Sequence, residues 1–187
     1  MTLLRATSSR IGGRKPVIAI PGDPGHCALG AITRFGGSTT SSTAWTGANV
    51  AIAMPFYVYE ECTALKLAWV NGSAAGDNWD IGLYDAALTK LVSAGSTAGT
   101  GNSVPQWVDI ADQVLAANTL YYLICNHSAT TANGLHGWSL TTGSLLMAGI
   151  KTYSPGSVTL GSPATLANPA GTTVVPACAI LTTAGLA

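Results

Sequence analysis

The sequence predicts an all-β fold, a jelly-roll-like antiparallel β-sandwich with an extended N-terminal arm, and three observations carry that expectation. Short apolar or alternating segments recur along the chain, separated by turn residues. No segment carries an apolar stripe at the 3.6-residue helical period. Stretches rich in Gly, Ser, Thr and Ala at 36–43, 93–103 and 154–173 share no fixed period, which excludes a solenoid.

Residues 1–43 read as an extended arm and linker. Arg5, Arg10, Arg14 and Lys15 supply half of the eight basic residues, and no acid precedes Asp23. The following IPGDPGHCALGAITRFGGSTTSST has the Pro, Gly, Ser and Thr content of a loop. The sandwich domain is expected over 44–187, with packing starting near Trp45. ANVAIAMPFYVY (48–59) is apolar and aromatic, and Pro55 points to an edge or a bulge. In CTALKLAWVNG, Leu65, Leu67 and Trp69 share one face and Lys66, Ala68 and Val70 the other, with a turn at Asn71-Gly72. NWDIGLYDAALTKLVSAGS (78–96) reads as a hairpin: Trp79, Ile81 and Leu83 face inward, Asp85-Ala86-Ala87 breaks the strand, and Leu91 and Val92 return. QWVDIAD places Val108 and Ile110 opposite Trp107 and Asp109. TLYYLICNHS (119–128) is apolar on both faces, as a central strand covered twice would be. LHGWSL, SLLMAGI and TTVVPACAILTT are later strand candidates, and YSPGSVTLGSPATLANPAGTT is a long surface excursion before the last of them.

Charged residues are only 9% of the 187-residue chain, against about 25% in an ordinary soluble domain, and hydrophobic residues reach 48%. A spanning helix is excluded, because no run approaches the roughly 20 apolar residues required. The N-terminus lacks the apolar core and cleavage site of a secretory signal, so folding in the cytoplasm is expected. Low charge instead points to buried partner surface, as in permanent oligomers. Cys27, Cys62, Cys125 and Cys178 form no Cys-x-x-Cys pair, which favours buried free thiols over a zinc or redox motif. Four cysteines permit three disulfide pairings, and spacing alone excludes none.

Chemistry-bearing motifs are sparse. His26 adjoins Cys27 in a Pro-Gly loop, a poor geometry for one ion, while His127 and His136 flank a segment that could fold as a hairpin. Asp80 with Asp85 or Asp109 is the carboxylate pairing to weigh for glycoside hydrolysis, yet Asp77, Asp85, Asp109 and Asp112 all stand where turn chemistry or strand ends explain them. Asp77-Asn78-x-Asp80 offers oxygen ligands without the rest of a calcium loop. No nucleophile elbow, phosphate loop or dinucleotide fingerprint occurs, and no cofactor is expected. The Asn-x-Ser sequences at Asn71 and Asn126 read as chance. Among five Trp and six Tyr, Trp69 and Trp79 fall in phase with the core, whereas Trp45, Trp107 and Trp138 are the candidates for interface or ligand contact.

Residues 50–128, from VAIAMPFYVYEECTALKLAWVNG through NWDIGLYDA and QWVDIAD to TLYYLICNHS, resemble a β-sandwich module of tailed-bacteriophage structural proteins, most closely capsid decoration (cement) proteins. The resemblance implies a jelly-roll platform with no catalytic residues, located on the virion capsid surface and assembled in the host cytoplasm. It implies the major capsid protein and further copies of the chain, as a homotrimer, for partners. The basic arm (Arg5, Arg10, Arg14, Lys15) would then grip the capsid lattice, with neither membrane nor specific nucleic acid as partner. The alternative is a receptor- or carbohydrate-binding module of a fibre or spike, with Trp107 and Trp138 as a stacking platform. A carboxylate hydrolase ranks third.

Overall fold

Alternation makes each strand two-faced, and the fold follows from what covers each face. The computed structural model describes residues 18–19, 41–59, 61–130, 134–140, 146, 149–163, 165–169 and 173–182. The strands in chain order are β1 (Ile18–Ala19), β2 (Ser41–Thr43), β3 (Ala51–Val58), β4 (Cys62–Val70), β5 (Asn78–Asp85), β6 (Lys90–Ser93), β7 (Thr97–Ala98), β8 (Pro105–Leu115), β9 (Thr119–His127), β10 (Leu135–Leu140), β11 (Lys151–Tyr153), β12 (Thr173–Pro176) and β13 (Cys178–Thr182). All pairings are antiparallel, so the all-β antiparallel sandwich expected from the sequence is the fold observed.

The first layer runs β1-β3-β9-β5-β6, with β11 also on β3 and β7 also on β5. The second consists of β8-β4-β13 and β2-β10-β12. Its two parts are joined because β12 and β13 form one nearly continuous run. Ala177 between them accepts from Val70 N at the end of β4 and donates to His136 O in β10. Two short pieces of the 1–43 segment, β1 and β2, lie within the sheets.

Inward residues interdigitate between the layers: Ile52, Met54, Phe56 and Val58 of β3, Leu67 and Trp69 of β4, Trp79, Ile81 and Leu83 of β5, and Leu123 and Cys125 of β9. The Trp69 and Trp79 rings stack 5.8 Å apart at 7°. Neither indole N–H has a hydrogen-bond partner, so packing alone holds the stack.

Sequence phase fails in one place. The register slips between Ala64 and Lys66, opposite Gln113 and Asp109 of β8. Cys62 and Ala64 therefore face the core before the slip, Leu67 and Trp69 after it, and Leu65 is only half-buried. Asn71-Gly72 also differs from the expected tight turn. Asn71 is buried, and its amide donates to Thr100 O (2.7 Å) and Gln106 Oε1 (3.0 Å), organising the loop before β8. Pro55 is neither at a sheet edge nor in a bulge, yet its position explains it. β11 pairs with Ala51–Ala53 and β1 with Tyr57–Val58, so on that flank Pro55 falls in the gap between them.

Gly82 is required by close approach. A Cβ there would lie 2.9 Å from Tyr84 Cε2 and 3.2 Å from Ser93 Cβ. Tyr84 is fully buried and cannot swing away. Gly82→Ala should therefore lower stability by about 1 kcal/mol despite the entropy it saves in the unfolded chain. A higher melting temperature for the variant would refute this packing account.

Candidate functional site

The outer face of the first layer is not solvent. Tyr84 of β5, Ile124 of β9 and Ala51 and Ala53 of β3 are buried there under Leu160, with Tyr122, Tyr153 and Leu166 alongside. The excursion after β11 thus lies across the sheet as a strap. Three strands hold it chiefly through its backbone. Asn126 donates to Ser157 O (2.8 Å) and Val158 O (2.9 Å). Asp80 Oδ2 accepts from Leu160 N (2.8 Å), and Lys90 Nζ donates to Leu160 O (2.7 Å). Tyr84 donates its hydroxyl to Gly161 O (2.7 Å). Farther along, Thr152 and Ala167 exchange both backbone hydrogen bonds.

Burial pushes the Asp80 carboxyl up to about 6, against the opposing pull of the N–H groups of Leu160 and Gly95, of Lys90 and of Ile81 N–H. Its Oδ1 has no hydrogen-bond partner. Burial also raises the Tyr84 and Tyr153 hydroxyls. A buried carboxyl shifted this way is a common mark of an active site. Here Asp80 is 0% exposed and already bonded to the strap that covers it, so its geometry is that of a clamp. A cleft of about 510 Å³ opens beside the strap, lined by Tyr153, Ser154, Pro155, Ser162, Pro163 and Thr165 among others, with no charged side chain in its wall.

The sequence-derived candidates disperse. Arg5, Arg10, Arg14 and Lys15 lie outside the described residues, as do His26, Cys27 and Asp23. Trp45 is a correction: it is 2% exposed, donates to Val50 O (2.8 Å) and packs on Trp69 with centroids 5.5 Å apart, so it is core rather than contact surface. Trp138 is placed by backbone register alone, opposite Val175. Trp107 is 44% exposed on β8. It stands in a row with Ala68 and Ala179, beside a second row of Asp109, Lys66 and Leu181, on the outer face of β8-β4-β13. Lys66 and Asp109 are paired at 2.7 Å.

The carboxylates do not converge. Asp85 caps the β5-β6 turn by accepting from Thr89 N (2.8 Å), Asp80 lies under the strap, and Asp109 is on the other sheet. Among the described residues no three of His, Cys, Asp or Glu are grouped to share a metal ion. His127 and His136 are not hairpin neighbours, because β9 and β10 belong to different sheets. His127 is buried against Trp69 at 5.6 Å, its Nδ1 lies 2.8 Å from Ala129 O, and burial lowers its pKa. Asn71 and Asn126, the two glycosylation-type asparagines, are both buried. Cys62, Cys125 and Cys178 are all buried, and none is disulfide-bonded in this structure. Sequence reasoning missed Asn126, Tyr84, Lys90 and Tyr153 as a group. The visible signal was Asn126, a polar residue on the otherwise apolar β9.

Compared with known proteins, the chain matches no family model, no curated protein and no solved structure.

Proposed function

We propose that the chain is a non-enzymatic structural protein of a virion, a decoration or cement subunit of a tailed-phage capsid that acts as a homotrimer. One observation carries the reading. The chain seals one outer sheet face with its own strap, while on the other outer face Trp107 stays 44% exposed beside two buried alanines, a half-buried Leu181 and a neutralised Lys66–Asp109 pair. An aromatic residue on a charge-poor face suits an interface anchor. The overall scarcity of charge and the resemblance of residues 50–128 support the same reading. The basic residues Arg5, Arg10, Arg14 and Lys15 would grip the capsid protein, several arms per trimer adding avidity. The carbohydrate-binding alternative draws less support. Of its aromatics, Trp107 is exposed without an aromatic beside it in its row, and the uncharged cleft at Tyr153 lies on the opposite layer.

Light scattering on the purified chain tests this. The expected mass is near three times 18.9 kDa. Trp107→Glu should reduce it to the monomer with the β-rich circular dichroism spectrum kept. Removing residues 1–17 should leave the trimer and abolish attachment to capsid shells. A wild-type monomer at every soluble concentration would overturn the proposal.

A further inference from the structure

We infer that Cys125 and Cys178 are the two halves of an inter-sheet disulfide, a covalent modification that pins the layers of the sandwich together. Cys125 is on β9 in the first layer, in register with Ile52 and Ile81, and Cys178 is on β13 in the second, in register with Trp69. Both side chains point into the shared core and are 0% and 2% exposed. Their sulfurs are 3.8 Å apart. Forming an S–S bond of roughly 2.05 Å requires the two sulfurs to close by about 1.8 Å. The pair also sits beside the stacked Trp69 and Trp79, and an inter-sheet disulfide packed against a buried Trp is a known way of tying two sheets.

The step balances as thiol–disulfide exchange. The Cys125 thiolate attacks an external disulfide such as oxidised glutathione, forming a mixed disulfide and releasing one thiol. The Cys178 thiolate then attacks the Cys125 sulfur and expels the second thiol. The two cysteines are oxidised by two electrons, the external disulfide is reduced, and their two protons end on the released thiols. Burial excludes the reagent from the folded core, so closure accompanies folding in an oxidising medium, whereas a chain folded in a reducing cytoplasm keeps the pair as thiols until it refolds under oxidising conditions. Cys62 serves as an internal control: it is buried too, but has no sulfur partner among the described residues.

The full chain should be refolded in a glutathione redox buffer, denatured, alkylated and digested with trypsin. Cleavage after Arg34, Lys66, Lys90 and Lys151 places Cys27, Cys62, Cys125 and Cys178 on four separate peptides. The expected result is alkylation of Cys27 and Cys62 only, with peptides 91–151 and 152–187 joined and separable by reductant. The bond spans 53 residues, and closing a loop of that length should raise the melting temperature by about 10 °C over the reduced chain. Cys178→Ala, refolded identically, should leave all three remaining thiols open to alkylation. Four alkylated thiols in correctly folded wild-type protein, or a bond that uses Cys27 or Cys62, would overturn the assignment.

Discussion

Replacing Asn126 with alanine is expected to cost about 3 kcal/mol of folding stability and to loosen the strap before the sandwich melts. The amide acts in two directions. Its Nδ2 donates to Ser157 O and Val158 O, and its Oδ1 accepts from His127 N at 2.9 Å. Alanine leaves the buried His127 N–H without its acceptor and the two strap carbonyls with only water to replace the lost donor. Each buried polar group stripped this way costs about 1–3 kcal/mol, and the wetted carbonyls fall at the low end. Asn126→Asp separates the two roles. It keeps the acceptor for His127 N but turns a carboxylate toward two carbonyls and directly across from Asp80 in the register, so it should cost at least as much as alanine. Urea unfolding gives the totals, and hydrogen exchange at Leu160 N, which Asp80 protects, reads the strap. A variant that loses less than about 1 kcal/mol with Leu160 exchange unchanged would mean the strap is held elsewhere.

What the sequence made legible follows from which signals side chains carry. The β5-β6 hairpin, the central place of β9 and the core positions of Trp69 and Trp79 were all readable, because alternation and turn residues express them directly. Trp45 was not, since a single aromatic ahead of a strand has no phase. Leu65 was misassigned because it alternates in phase with Leu67 and Trp69, and only the register slip between Ala64 and Lys66 breaks that phase. The strap was visible as an excursion but not as a cover. Its attachments run through backbone atoms of Ser157, Val158, Leu160 and Gly161, which leave no trace in residue identity. Alternation shows that β5 has two unlike faces, and it does not show what lies over the second. The same limit governs the rest of the candidate site, since Trp107 was legible as an aromatic out of phase with Val108, and alternation shows its face without showing what that face contacts.

Asp80→Asn is expected to stabilise the protein at neutral pH, by about 3 kcal/mol, and to have no such effect in acid. The sign follows from the direction of the shift. The carboxyl titrates at 3.8 when exposed and at about 6 when buried under the strap, so between those values the folded chain holds a proton that the unfolded chain has released. Stability from this group is therefore greatest below the unfolded value, falls as pH rises toward about 6, and stays low above it. Asparagine cannot ionise, yet it retains an oxygen to accept from Leu160 N. His127 contributes the opposite slope, because its lowered pKa makes the folded state lose stability as pH falls, but it is present in both proteins and cancels in their difference. Denaturant unfolding of wild type and variant across this range should give curves that coincide in acid and separate above about pH 6. Parallel curves would show that Asp80 ionises without penalty, and that solvent reaches Oδ1. The arrangement also explains why a costly carboxylate is tolerated. Asp80 takes the N–H and Lys90 the C=O of the same residue, Leu160, so opposite charges fix one peptide segment from both sides while its side chain fills the face beneath. Asparagine keeps the N–H contact but gives up the charge that faces Lys90, so the variant's gain in stability should come with faster hydrogen exchange at Leu160, measured relative to global unfolding.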